Sequence, residues 1–256
     1  MTIPLFKVFM SDNAASAVGK VLESGFVGEG PKALEFSNNL KDWIGNHRIV
    51  TTNSATSAEH LALRLIKKSH GIEDGDEVLA TPLTCTATNW PVLANNLKLK
   101  WVDVDPKTLN MDLDDLERKL TPSTKAIFLV HWGGSPIDLD RVKTITEKCE
   151  SLYGFKPVVI EDCAHALGSI YKDKKLGNHG NYCTFSFQAV KHITSVDGGM
   201  LVCPDDESLR RAKLLRWYGI DRETDRTDFR CELDIPEWGY KFHMNDVMAT
   251  VGIENL

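Results

Sequence analysis

The chain has 256 residues, of which 42% are hydrophobic and 26% charged, and a formal net charge of −6. That is enough chain for one large core and a small appendage, and its acidic balance offers no basic surface to a nucleic acid. No apolar run reaches the length of a membrane span, and Met1 to Lys7 lacks the basic start and sustained apolar core of a signal peptide, so a cytoplasmic protein with neither membrane nor nucleic-acid partners is expected.

The first element in the chain is a helix over Asp12 to Ser24, with Ala14, Val18, Val21 and Leu22 on one face. It ends at Gly25, and Gly28-Glu-Gly-Pro31 forces a turn. Pro31 opens a second helix that buries Leu34, Phe36, Leu40 and Trp43 and stops before Gly45. The apolar run Ile49 to Thr52 leads into Asn53-Ser-Ala-Thr-Ser-Ala-Glu59, small and hydroxylated residues ahead of a helix that buries Leu61, Ala62, Leu65 and Ile66. Thr56 and Glu59 fit a capping box. Free N–H groups and hydroxyls at a helix start suit a phosphate, and they equally suit a plain N-cap.

Alternation then takes over. Strands are expected at Glu77–Thr81, Leu99–Val104, Ala126–His131 and Pro157–Glu161, with helices between them at Thr88–Asn95, Asp112–Leu120 and Asp138–Tyr153. Apolar strands separated by amphipathic helices indicate an α/β fold, a mostly parallel sheet sandwiched by helices. Ligands of such sheets gather beyond the carboxyl ends of the strands. That rule singles out Thr81, Asp103, His131, Asp162 and Lys191. The six cysteines form no Cys-x-x-Cys pair, so reduced structural thiols are expected rather than a zinc site or a redox dithiol.

Asp162 ends a strand, where its carboxylate can cap the following helix or hold the proton of a pyridine-type nitrogen. His165 lies three residues on. Cys183 to Phe187 reads as another strand, with Ser186 on the opposite face from Phe185 and Phe187. After it comes Lys191, among small and polar residues. Such a lysine is usually solvated, but one held at a strand-to-loop junction can act as a nucleophile toward a carbonyl. A Gly-Gly pair and the apolar run Met200 to Cys203 follow. Asp221 to Arg230 reads as an exposed loop, and Val251 to Leu256 as part of an amphipathic helix.

A phosphate cradle, a carboxylate for a ring nitrogen and an amine for an aldehyde, in that chain order, are what pyridoxal 5′-phosphate requires. The segments GEGPKALEF (Gly28 to Phe36), TNSATSA (Thr52 to Ala58), VDVDPKTLNMD (Val102 to Asp112), VHWGG (Val130 to Gly134), VIEDCAHALGS (Val159 to Ser169), FSFQAVKHIT (Phe185 to Thr194) and GYKFHMND (Gly239 to Asp246) together resemble the DegT-like sugar aminotransferases. The resemblance implies the large domain of a fold type I pyridoxal-phosphate-dependent transferase over residues 1–240. Residues 241–256 would begin the connection to a small C-terminal domain.

It further implies that Lys191 is the Schiff-base lysine and proton shuttle, and that Asp162 is the partner of the pyridinium. Ser54, Ala55, Thr56 and Ser186 would hold the phosphate, and His165 would sit near the phenolic oxygen, where relatives commonly carry glutamine. Cys85 stands where many relatives stack an aromatic residue on the ring. Lys241 and His243 fall in a segment that reaches a neighbouring subunit's site, which implies a homodimer. The implied substrates are a nucleotide-linked keto-sugar and an amino donor such as glutamate. A sugar dehydratase with the same cofactor is the alternative within the family, although such dehydratases replace the lysine. A binding fragment without catalysis is the alternative outside it.

Overall fold

The computed structural model describes residues 3–223 and 235–256. Helices Ala14–Ser24 (α1) and Pro31–Ile44 (α2) precede strand Ile49–Thr52 (β1) and helix Ala55–Ser69 (α3). Alternation follows through Glu77–Ala80 (β2), Thr86–Ala94 (α4), Lys98–Trp101 (β3), Leu113–Arg118 (α5), Thr124–Val130 (β4), Leu139–Tyr153 (α6) and Val158–Asp162 (β5). A small hairpin, Ile170–Tyr171 (β6) with Lys174–Lys175 (β7), leads to Tyr182–Ser186 (β8) and Gly199–Val202 (β9). Helices Asp206–Leu215 (α7) and Asp246–Asn255 (α8) complete the described elements.

The central sheet has seven strands in the order β1-β9-β8-β5-β4-β2-β3. Strands β3, β2, β4, β5 and β8 pair in parallel, and β9 runs antiparallel to both β8 and β1. The expected parallel sheet therefore carries one reversed strand. Its cause is the connection: the loop from Phe187 to Gly198 closes on itself, with Phe187 N donating to Gly198 O at 2.9 Å, and contains no crossover helix.

Strand alternation builds two apolar layers. Leu79, Ile127, Leu129, Phe185 and Met200 face α2, α5, α6 and α8, while Val78, Ala80, Ala126, Phe128 and Ile160 face α3, α4 and α7. Phe185 and Phe187 share the first layer, as their spacing predicts. Helices α1 and α2 run close to the expected bounds, but their buried faces are narrower. Leu22 is 57% and Leu34 62% exposed, and the buried stripe of α2 is Ala33, Phe36, Leu40 and Ile44. A 3.6-residue period accounts for that stripe, and Leu34 lies outside it.

Helix α8 packs across α2, so closely that a Cβ at Gly252 would lie 2.5 Å from the Phe36 ring. It thus ties residues 241–256, where a connection to a further domain is expected to start, to the first helices. Asp246, the first residue of α8, accepts the N–H groups of Gly30, Lys32 and Ala33 at 2.8, 3.2 and 2.9 Å. It caps α2 across the fold, because Gly30 at the N-cap has no side chain with which to do so. Of the stretch read as an exposed loop, Asp221, Arg222 and Glu223 are described and exposed, and the rest lies outside the described residues.

Candidate active site

The carboxyl ends of β5 and β8 and the start of α3 converge on one place. Helix α3 begins two residues earlier than a Thr56–Glu59 capping box would have it. Ser54 is the N-cap, and its Oγ accepts the N–H of Ser57 at 3.0 Å. The first-turn N–H groups of Ala55 and Thr56 have no partner within a helix by geometry. They point, with the positive end of a 15-residue helix, at the space ahead of it.

Gly199 forms the wall beside this turn. A Cβ there would lie 2.5 Å from Ala55 N and 2.6 Å from Ser54 C, so only glycine lets β9 approach so closely. Gly199 also pairs across the sheet with Ser186 on one side and Thr52 on the other. That register brings Ser186, buried at the end of β8, to the cradle made by Ser54, Ala55 and Thr56.

Asp162 ends β5 and is 5% exposed. Its Oδ2 accepts the Thr88 hydroxyl at 2.7 Å and its Oδ1 the Ala164 N–H at 2.9 Å. Thr88 comes from the first turns of α4, and its own hydroxyl meets that of Thr84 at 2.7 Å. Sequence reasoning missed Thr88; a hydroxyl three residues into a helix carries no signal until the helix is placed against β5. Cys85, the N-cap of α4, is exposed and makes no side-chain cap.

His165 stands after β5, half-buried, its ring edge-on to Trp132 at 5.2 Å between centroids. Burial pushes its imidazole below the ordinary value and nearby Lys191 adds to this, while Asp162 opposes. Lys191 lies in the loop after β8, its backbone N donating to Gln188 O at 2.9 Å. The base of that loop is fixed by Ser195 N and Thr194 Oγ1, both donating to Phe187 O, and by Phe187 packing edge-on against Phe36 at 5.4 Å. The flanking residues enclose the lysine only in part, since Val190 is 49% exposed.

A further member of the cluster is Glu59. It is 1% exposed and interacts with Asp162, Cys85 and Lys191. Burial first, then the Asp162 charge, pushes its carboxyl well above the usual carboxylate range.

The strand-end rule applies unevenly to the other positions it singled out. His131 is fully buried on the other side of β5, where it meets Glu161 at 2.8 Å. Its Nδ1 accepts the Ile137 N–H at 3.1 Å, so Nε2 carries the proton given to Glu161. Burial works against the Glu161 charge, but hydrogen bonds from His131 and Asn181 outweigh it and hold the carboxyl below its ordinary range. Cys163 lies close to both, and this buried set serves the core. Asp103 is exposed beside the edge strand β3, and Thr81 is buried.

Lys241 and His243 belong to a segment that is busy within its own subunit. Asn53 N donates to Phe242 O at 2.7 Å and Asn53 Nδ2 to Lys241 O at 3.3 Å. Tyr218 N donates to Tyr240 O, and Tyr240 N and Phe242 N donate back to Leu215 O and Arg216 O. These bonds seat Lys241 beside the residue that precedes the cradle. His243 packs edge-on to Trp217 at 3.8 Å, near Glu29 and Arg216. Burial, the largest cause, takes its imidazole down to about 4.

Comparison with known proteins places this architecture. AtS13 from Actinomadura melliaura is similar at a TM-score of 0.92 and 52% sequence identity, over 99% of this chain and 66% of that one. The sugar aminotransferase CalS13 from Micromonospora echinospora is similar at 0.92 and 45%, over 99% and 68% of the two chains. E. coli GDP-4-keto-6-deoxy-D-mannose-3-dehydratase with bound hydrated pyridoxal phosphate is similar at 0.89 and 25%, over all of this chain and 67% of that one. The chain thus spans about two thirds of the length of these relatives. Residues 9–256 match the profile of the DegT/DnrJ/EryC1/StrS aminotransferase family, and the chain belongs to that family.

Proposed function

We propose that this chain binds pyridoxal 5′-phosphate and transfers an amino group, from a donor such as glutamate, to a nucleotide-linked keto-sugar. The observation that carries the reading is the convergence of three unlike groups. An anion cradle at the start of α3, a buried carboxylate at the end of β5 and the Lys191 amine all meet at one end of the sheet.

The donor set fits the cofactor. The Ala55 and Thr56 N–H groups with the Ser54 and Ser186 hydroxyls suit a phosphate. Asp162, already accepting two hydrogen bonds, suits a protonated ring nitrogen. Once bound, pyridoxal phosphate supplies an electron sink for the carbanion that forms when an amino acid loses its α-proton. Around it, Lys191 gives the amine that carries the proton off and returns it elsewhere. Asp162 holds the ring proton. His165 would stand toward the ring's oxygen, and Cys85 would offer the face of the ring less area than an aromatic side chain does. Retention of Lys191 favours amino transfer over dehydration.

The site is proposed to be shared between two copies of the chain, with Lys241 and His243 reaching toward the partner. Trp90 and Leu93, one turn apart on α4 and both exposed, supply apolar surface near the site for such a contact.

The test is a half-reaction. Glutamate added to protein loaded with pyridoxal phosphate should replace the visible band with that of the amine form, and release 2-oxoglutarate. A nucleotide-linked keto-sugar should then restore the band. Loaded protein that shows no change with glutamate or any other amino acid would leave only a cofactor-binding fragment.

A further inference from the structure

Three of the segments that stand out in the sequence meet at His165, and the functional reading gives work to only one of them. Asn110 comes from the loop after β3, the short turn Trp132–Gly134 follows β4, and His165 follows β5. Asn110 is buried and grips the turn at its start and just past its end. Its Oδ1 accepts the Trp132 N–H at 2.9 Å, and its Nδ2 donates to Ser135 O at 3.0 Å. Ser169 adds a third hold, its hydroxyl donating to Gly134 O at 2.7 Å. The turn is pressed against His165. A Cβ at Gly134, where φ is +84°, would lie 2.7 Å from His165 O, so only glycine allows the approach. The Trp132 and His165 rings also meet in a T-shaped arrangement, with 5.2 Å between centroids and 61° between planes.

Among the described residues no hydrogen bond reaches either nitrogen of the His165 ring, so the aromatic contact is what orients it. Orientation matters because burial, with Lys191 and His192 adding to it and Asp162 opposing, favours the neutral imidazole. A neutral ring has one N–H and one bare nitrogen, and its direction decides which of the two meets a ligand. We propose that Trp132, locked by Asn110, is the positioning residue for His165, and that it holds the imidazole so that a ring N–H is presented to the phenolic oxygen of the cofactor. The presentation to the cofactor rests on the functional reading above; the clamp of Asn110, Trp132 and Gly134 on His165 does not. An N–H given to that oxygen favours its ionised form, and a ring left free to turn gives that donor for only part of the time.

Two measurements separate the parts of this proposal, and the first needs no cofactor. In unloaded protein with labelled histidine, the Trp132 ring current should displace the proton resonances of the His165 ring. Trp132→Ala should remove that displacement, Asn110→Ala should reduce it, and Trp132→Phe should keep part of it. The second readout is the pH at which the visible band of the pyridoxal-phosphate-loaded protein titrates. His165→Ala should move it upward by about half a unit to one unit. Trp132→Ala and Asn110→Ala should move it the same way, and Trp132→Phe should stay close to wild type. Where His165 is already alanine, Trp132→Ala should add nothing. Residues that served stability alone would lower the melting temperature on substitution and move neither readout. His165 resonances indifferent to Trp132→Ala and Asn110→Ala would overturn the clamp. Altered resonances with one common spectral titration would overturn the role toward the ring's oxygen, and so would equal shifts from Trp132→Ala with and without His165. Wild type that takes up no pyridoxal phosphate would overturn the functional reading, and that role with it.

Discussion

At the scale of single residues, the proposed chemistry rests on the Asp162 carboxyl, buried at the end of β5. Thr88 and Ala164 donate hydrogen bonds to it and fix its orientation. Asp162→Asn preserves shape but loses the charge that holds a ring proton, so turnover should fall by about a hundredfold or more, roughly 3 kcal/mol of transition-state stabilisation. Near-normal turnover with a normal cofactor spectrum would remove Asp162 from its role. The placement of Asp162 at the end of β5 and of Lys191 in the loop after β8 was legible in the sequence, because the apolar runs that precede them read as strands. The burial of Ser186 on the face opposite Phe185 was legible through strand alternation, whereas cap chemistry pointed to a box at Thr56 and Glu59, which starts two residues past the N-cap that Ser54 provides. Glu59 was not legible. Its character comes first from burial and then from Asp162, far along the chain, and read locally it passed for a capping residue.

At the scale of elements, α2 and α8 hold each other in place. Asp246→Ala leaves the part-buried Gly30 N–H and the buried Ala33 N–H without an acceptor, which should cost about 2 kcal/mol in denaturant unfolding with an unchanged m-value. A loss below about 0.5 kcal/mol, the range of an ordinary surface change, would deny that Asp246 is the cap of α2. The 239–243 segment makes a prediction about pH. Folding lowers His243 from 6.5 to about 4, so the unfolded chain takes up a proton that the folded chain rejects. Stability from this source is present above pH 6.5 and is lost as pH falls toward 4. His243→Asn should flatten the melting temperature over that window, and an unchanged acid slope would place the histidine in solvent. The parallel strands and their helices were read from hydrophobic period. The reversal of β9 was not, because Phe187 to Gly198 looks like any loop until its ends bond to each other. Helix α7 escaped too: Asp205 caps it, but its residues are largely charged, and only Ser208, Ala212 and Leu215 are buried.

At the scale of the whole molecule, two copies of the chain are proposed to build each pair of sites. Light scattering at micromolar concentration should report a dimer. A monomer that holds the cofactor at full occupancy would show that one chain suffices. The seating of Gly239 to Phe242 against Asn53 and Leu215 gives that segment work at home, so its conspicuous motif is not by itself a sign of a partner. Among the many lysines of this chain, Lys191 is the one proposed to meet the cofactor. Treating protein loaded with pyridoxal phosphate with borohydride and mapping its peptides decides this. A stable pyridoxyl label is expected on Lys191, with Lys191→Ala protein binding the cofactor without one. A label on any other lysine, or none on wild-type protein that has bound pyridoxal phosphate, would contradict it.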